Sequence, residues 1–518
     1  MTFDYFLLTI QKICSFDSIK GLTMGIIQKQ STQTTIVAYT GIIIGFIGTA
    51  LIRPKILTEG EIGLLQLMLN VTALFSGVFT LGTNLTTLRM IPHFKTEDGR
   101  HRGFMTFSLI VGLIGSIIAI PVFMGTEWFF FQNRDGGFHG FDYNTGFYVG
   151  ILMVIIARIF QNILDAYLRV NHQSVLGVFS ESIILKTLPI FGLALYFLEL
   201  IDFQQLIYFN MGIFLFPVLL SVIYLRKMNA RFFVKPGPYT KNEKKEISGT
   251  STIGLFEILS AGIILYIDTI MLQWLLGEEA VGVYSTLFFF GLVVGVPARA
   301  LSRVAIVSVS EAFQRNDIDE IQTVYRKSSQ TLLVIGGFIF LGIWGNRYSV
   351  GGYLEGGFAE ALYVMFFIGM AQLVSVVTSI NYQIIAVSRH YYFNLFTSFL
   401  YVLLLIITNY FFIKTYGIVG AAVGSLVSIA ITNAIRFVFL KLKYGLNPFS
   451  FSTIKTILLI GAVLLLIEFI PNVENIYLNL LIKGSITTVI FVPLVYFMKC
   501  SEDLNGMIDK VLQRVLGR

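Results

Sequence analysis

The chain is predicted to be an all-α polytopic membrane protein, and three features of its 518 residues predict it. About fourteen long apolar stretches recur along it, hydrophobic side chains make up 55% of it, and only 13% of its residues are charged. A helix needs roughly 20 mostly apolar residues to cross a hydrocarbon core ~30 Å thick. In lipid each backbone polar group must be satisfied within its own segment, so single stretches of this length read as spanning helices.

In chain order the expected spans are 31–52, 63–83, 103–124, 146–164, 174–198, 205–225, 249–275, 281–311, 329–346, 361–386, 391–413, 417–440, 452–470 and 476–498. Residues 1–30 precede them as a cytoplasmic extension, of which 1–20 lack the charged start, apolar run and cleavage site of a signal peptide; Met24 is an alternative start. Spans 1–6 (31–225) end at a basic linker, 226–248, whose Lys235-Pro236-Gly237-Pro238 is breaker chemistry that marks a boundary. Spans 7–12 (249–440) follow, then two extra spans within 441–498. The tail 499–518 has Leu504, Met507, Ile508, Val511, Leu512 and Val515 at helical spacing, the pattern of an amphipathic helix on the inner membrane surface.

Loop charge gives the orientation. Eighteen Lys and Arg residues fall in loops on the side of the N-terminus, seven of them in the linker, against five on the other side (Arg53, Lys55, Arg134, Arg347, Lys414). By the positive-inside rule both termini are cytoplasmic. The net charge of +7 follows from that asymmetry and from affinity for anionic lipid headgroups, and no basic face is left over for nucleic acid.

Several functions are disfavoured at this level. Cys14 and Cys500 make no disulfide framework, and the five histidines have no metal-ligand spacing. No GxxxxGK[ST] loop occurs, and the longest loops are too short to fold alone as a catalytic domain. The expectation is a transporter without cofactor or metal, not an enzyme. A short internal echo agrees with duplicated transporter halves. Leu57-Thr-Glu-Gly-Glu-Ile-Gly63 resembles Leu276-Gly-Glu-Glu-Ala-Val-Gly282 at an offset of 219 residues, which makes spans 1 and 7 equivalent.

Ionisable residues inside a membrane cost about 2.5–3.5 kcal/mol each on insertion scales, so they mark protein-facing or wet surfaces. Arg158, Asn162, Asp165 and Arg169 share one face of span 4, and Glu257 and Asp268 share one face of span 7. Span 8 carries Arg299 and Arg303 after Pro297, and Arg303 is expected at the depth of Glu257. Glu181 and Lys186 of span 5 are five residues apart, hence on different faces. Polar stripes on span 10 (Gln372, Ser375, Ser379, Gln383) and span 12 (Ser425, Ser428, Thr432, Arg436) read first as helix-packing devices. Trp128, Trp274 and Trp344 fall at outer ends, where an interfacial aromatic belt is expected.

Three segments carry a resemblance: Gly25-Ile-Ile-Gln-Lys-Gln-Ser31 before span 1, Leu276-Gly-Glu-Glu-Ala-Val-Gly-Val-Tyr284 after span 7, and Tyr416-Gly-Ile-Val-Gly-Ala-Ala-Val-Gly424 opening span 12. With the six-plus-eight arrangement they resemble the polysaccharide transporter family. These are the Wzx-like O-antigen and capsule flippases of the multidrug/oligosaccharidyl-lipid/polysaccharide exporter superfamily. The resemblance implies two six-helix bundles around a cavity formed chiefly by spans 1, 2, 7 and 8. It implies export of a polyprenyl-pyrophosphate-linked oligosaccharide to the outer leaflet of a bacterial inner membrane. Arg299, Arg303, Arg53 and Arg158 are then the candidates to meet the anionic headgroup. Asp268, Glu257, Glu181 and Lys186 are candidates for coupling to H+ or Na+, or for cavity ion pairs. A polysaccharide polymerase is an expected partner. A peptidoglycan-type precursor flippase and a cation-coupled multidrug exporter are the competing readings.

Overall fold

The computed structural model describes residues 26–94, 96, 101–131, 141, 143–171, 173–228, 232 and 234–515. Met24, Cys14 and most of the extension therefore lie outside the described residues. Every regular element among those described is a helix. Among the described residues thirteen helices are long and apolar enough to cross a membrane, or fourteen when the bent pair Tyr363–Thr378 and Asn381–Val387 is one span.

That bent pair is span 10. The chain breaks at Ser379, whose φ is 48°, and the two pieces differ in direction by 46°. Gln372 and Ser375 thus lie on a different helix from Gln383, and the expected straight stripe is interrupted. Spans 1 and 5 also depart from regularity, through π-helical turns at Ile47–Ile52 and Ser180–Ile184. Span 8 is two helices, Glu278–Leu292 and Val296–Arg315, joined by the 3-10 turn Val293–Gly295 just ahead of Pro297. The expected loop after span 2 begins as a helix, Thr83–Phe94, packed on span 4.

Local chemistry starts the helices where the charge pattern leaves off. Asp202 and Gln205 form a capping box before span 6, as do Ser450 and Thr453 before span 13. Asn144 and Asn475 cap spans 4 and 14 by accepting from Phe147 N and Leu478 N. Inside the spans, hydroxyls return to their own helix, as when Thr80 Oγ1 donates to the Ser76 carbonyl at 2.5 Å. A hydroxyl held in this way is not left unsatisfied in hydrocarbon.

The chain forms two compact units. The first comprises the residues up to Ile56 together with Met68–Gly262. Its first and fifth spans pack through glycine. Gly41, Gly45 and Gly48 face Ser182, Lys186 and Ile190, so that an added methyl at Gly45 would lie 3.0 Å from the Lys186 side chain. The described part of the linker, Phe232 and the residues from 234 onward, straps onto this unit. Thr106 Oγ1 donates to the Phe232 carbonyl (2.7 Å) and accepts from Val234 N (2.9 Å), while Gly237 N donates to the Arg102 carbonyl (2.8 Å). Arg102 donates to Pro238 O and pairs with Glu243 at 2.7 Å, its guanidinium lying over Phe94 and Tyr239. His101, Arg102 and Gly103 all take left-handed φ values (45°, 51° and 71°) at this corner.

The second unit comprises Leu57–Leu67 and the chain from Ile263 onward. Spans 13 and 14 dock on span 9 (Ile318–Gly345): Leu333, Leu341 and Trp344 pack in one core with Val463, Ile467, Phe491 and Val495. Just after span 9 Arg347 pairs with Glu468 at 2.6 Å and lies over the rings of Trp344 and Tyr348. Trp344 is therefore a buried core residue rather than a belt residue, whereas Trp274 is exposed. In the tail, Leu504 packs against the span 9 core and Met507 is exposed.

Candidate functional site

Within the second unit the long helix Lys241–Leu276 carries Asp268 into the interior, where it is 8% exposed. Three donors from three other spans converge on its carboxylate. Tyr284 Oη (2.7 Å) and Ser425 Oγ (2.6 Å) donate to Oδ2, and Asn409 Nδ2 donates to Oδ1 at 2.6 Å. No basic side chain among the described residues pairs with it. Hydrogen bonds to a charged acceptor are stronger than neutral ones, so the carboxylate is held by donors rather than by a counter-ion.

The surroundings are rich in oxygen atoms. Asn409 is fully buried and its Oδ1 has no partner, while an added methyl at Gly424 would fall on that oxygen. Carboxylate, amide and hydroxyl oxygens are the donor set of a proton or a hard cation, not of a soft metal. Among the described residues no cluster of three His, Cys, Asp or Glu occurs.

Beyond Asp268 the contacts among spans 10, 11 and 12 continue polar. Thr408 Oγ1 and Ser428 Oγ are 3.0 Å apart, Asn381 donates to Asn433 at 2.9 Å, and Arg436 Nε donates to Thr397 Oγ1 at 3.0 Å. The span 12 stripe thus has two uses: Ser428 joins helices, and Ser425 serves the carboxylate. Sequence reasoning singled out Asp268 and Ser425 but missed Asn409 and the role of Tyr284. The available signal for Asn409 was an amide in the apolar run 391–413.

The first unit holds a separate charged group. Asp165 is buried and pairs with Arg169 at 2.5 Å, yet its Oδ1 has no hydrogen-bond partner. Arg158 lies over the Phe214 ring, and Lys186 Nζ donates to the Gly41 carbonyl at 3.0 Å. Glu181 is exposed and lies in the electrostatic reach of Asp165, Arg169, Arg158 and Lys186. Helical spacing sets Glu181 and Lys186 on different faces; the π turn between them, with its wider i→i+5 period, rotates them closer.

Arg53 differs from all of these. It is 7% exposed at the end of span 1, and it has no hydrogen-bond, ion-pair or ring partner among the described residues. Glu257 is exposed on its helix, as is Arg299 on Val296–Arg315. The Arg303 side chain, and with it the expected pairing to Glu257, lies outside what is described.

No protein-family model matches the chain, and no curated protein matches it. Solved structures do. The lipid II flippase MurJ in an inward closed conformation aligns over 90% of this chain and 99% of its own, with a TM-score of 0.69 and 14% identity. An inward-facing multidrug resistance MATE transporter of the MOP superfamily aligns over 83% and 96%, with a TM-score of 0.55 and 13% identity. A MOP superfamily transporter from Pyrococcus furiosus, described as having a binding pocket of reverse polarity, aligns over 82% and 99%, with a TM-score of 0.53 and 14% identity. Identities this low speak to architecture alone, and the chain has the fold of the MOP-superfamily transporters.

Proposed function

We propose that the protein is a flippase that moves a polyprenyl-pyrophosphate-linked oligosaccharide from the inner to the outer leaflet of a bacterial inner membrane, for O-antigen, capsule or another surface polysaccharide. The observation that carries this reading is Arg53, a buried guanidinium without a partner in a chain folded like a lipid-linked-substrate flippase. A buried charge left uncompensated is costly, and a pyrophosphate supplies pairs of anionic oxygens that the planar guanidinium fork binds bidentately. Arg158, Arg299 and Arg303 are further contacts for the headgroup along a polar path.

Transport is driven by an ion gradient through alternating access. Asp268 is the coupling residue: H+ or Na+ binds at its carboxylate, with Asn409 Oδ1 as a second oxygen. Glu257, Glu181 and Lys186 take supporting roles as cavity charges. The two termini are cytoplasmic, and a polysaccharide polymerase receives the product on the outer side.

Depletion of the protein in its host tests the reading. Lipid-linked oligosaccharide is expected to accumulate while surface polysaccharide is lost, and the mass of the accumulated lipid identifies the glycan. Unchanged pools of both would overturn the proposal. A second reading, flipping of a peptidoglycan precursor, is favoured by the higher structural similarity to MurJ than to the MATE transporters. It would appear in the same experiment as accumulation of the peptidoglycan precursor with surface polysaccharide intact. Both pools unchanged together with increased drug sensitivity would instead favour multidrug export.

A further inference from the structure

Inside the second unit, polar contacts run turn by turn from Asp268 to Arg436. Asn409 and Ser425 bind the carboxylate, and one turn further along spans 11 and 12 Thr408 Oγ1 and Ser428 Oγ meet at 3.0 Å. Thr432 follows on span 12, and next to it Asn433 accepts from Asn381 at 2.9 Å. The following turn brings Arg436, whose Nε donates to Thr397 Oγ1 and whose guanidinium lies 5.1 Å from the centre of the Tyr382 ring. From Ser425 to Arg436 the helix rises roughly 16 Å, about half of a ~30 Å hydrocarbon core.

Helix packing does not account for all of this file. Hydroxyls that return to their own helix are satisfied, as Thr432 is by the Ser428 carbonyl at 2.8 Å. The amides at the two ends are not. Asn409 (0% exposed) and Asn394 (5%) each keep a side-chain oxygen without a partner, and Asn394 lies at the Arg436 end, donating to the Tyr382 carbonyl at 2.9 Å. Buried acceptors of this kind are met by ordered water. Span 10 also breaks beside the file, at Ser379, two residues before Asn381, and Ser379 Oγ and Gln383 Oε1 are unpartnered. Irregular backbone at membrane depth persists where it is buried in protein or lines a wet cavity.

The file stops at Arg436. No carboxylate among the described residues pairs with this guanidinium, and Tyr401, one turn along span 11 from Thr397, lies in the electrostatic reach of both Arg436 and Asp268. One turn beyond, the two spans close with rings: Phe393 stacks on Phe439 at 3.9 Å, and His390 Nδ1 lies 2.8 Å from Tyr444 Oη. A fixed guanidinium in a narrow polar path repels any cation that enters it.

We propose that this file is hydrated and leads from Asp268 toward the end of span 12 that carries Lys441 and Lys443, and that Arg436 is the electrostatic barrier that keeps the coupling cation from leaking through it. The proposal rests on the reading of Asp268 as the cation site. A coupled transporter needs such a barrier, because an ion that crosses without substrate dissipates the gradient.

The test uses the full chain, reconstituted without substrate in liposomes of phosphatidylethanolamine and phosphatidylglycerol that hold a pH-sensitive or a Na+-sensitive dye. An imposed H+ or Na+ gradient should decay across the native protein as slowly as in empty liposomes. Arg436→Gln keeps a donor for Thr397 and removes the charge. It should speed the decay about tenfold or more, because like charges a few ångströms apart repel strongly at an effective dielectric of about 20. Arg436→Lys keeps the charge and loses the planar fork, and should stay within about twofold of the native rate. Asp268→Asn added to Arg436→Gln should return the decay to the native rate.

Native decay in Arg436→Gln overturns the barrier. Equally fast decay in Arg436→Gln and Arg436→Lys also overturns it, because geometry and not charge would then be at work. A leak that survives Asp268→Asn overturns the file, since the ion would cross without meeting the carboxylate. If Arg436→Gln does not accumulate in the membrane, Thr397→Val decides: it unties the guanidinium from span 11 and should speed the decay about threefold or more, and an unchanged rate overturns the barrier. An Asp268-dependent leak together with unaltered lipid-linked pools on depletion of the protein would refute the flippase and keep the barrier. Accumulated pools without any leak would refute the barrier and keep the flippase.

Discussion

Replacing Asp268 by Asn should leave the fold standing and stop ion-coupled transport. In the native site two hydroxyls, of Tyr284 and Ser425, point at Oδ2, and the Asn409 amide nitrogen points at Oδ1. An introduced amide with its oxygen at the Oδ2 position keeps both hydroxyl bonds. Its nitrogen then stands where Oδ1 stood, 2.6 Å from Asn409 Nδ2, donor against donor. The clash is removed by turning the Asn409 amide over, because its Oδ1 has no partner to lose. The exchange therefore costs about 1–3 kcal/mol, the Asn409 Nδ2 donor left unpaired after the turn, partly offset by removal of a buried charge. Asp268→Leu offers no acceptor at all and strands three buried donors at about 1–3 kcal/mol each, so about 3 kcal/mol or more. Thermal melting of the purified chain in detergent should rank Asp268→Asn below the native protein and Asp268→Leu well below both. Accumulation of lipid-linked oligosaccharide in cells should be complete for both. Full transport by Asp268→Asn would end the coupling role of this residue. An Asn variant as unstable as the Leu variant would refute the reasoning about the amide.

Two further outcomes follow from the first unit. Arg53→Met should raise thermal stability by about 1 kcal/mol or more, because a buried charge without a partner is replaced by apolar packing, while transport falls at least tenfold; reduced stability would mean that Arg53 is a structural residue. Arg102→Gly tolerates the left-handed corner and removes only the side chain that holds Pro238 and Glu243, so limited proteolysis of 232–240 should become several-fold faster with the melting temperature little changed, and an unchanged rate would show that the strap is held by Thr106 and the main chain alone.

The span pattern was legible because lipid leaves the chain little choice: a segment without internal hydrogen bonds cannot stay in hydrocarbon, so apolar length and helix coincide. What the periodicity could not carry were the places where the helix changes its own period. The break at Ser379 and the π turns at 47–52 and 180–184 depend on neighbouring helices that absorb the disturbed hydrogen bonds, and no residue type announces them. Glu181 and Lys186 show the consequence, since a 3.6-residue period assigns them to different faces and the π turn draws them together.

The site was legible one residue at a time and not as a set. Asp268 stands out because a carboxylate in an apolar run is expensive wherever it points. Its partners do not stand out, because Tyr, Asn and Ser are common in spans and serve packing as readily as ligation: Ser425 and Ser428 sit one turn apart on one helix, and only the first reaches the carboxylate. Which polar residues matter is decided by which helices are neighbours, and that is set by contacts such as the Gly337 approach to Ile460 or the Gly63 approach to Gly282. The echo of residues 57–63 at 276–282 is the exception. A duplicated sequence carries its own symmetry, and two copies related by a two-fold axis tend to meet on it, so a weak repeat gave a contact between residues 219 apart that no periodicity within a single span contains.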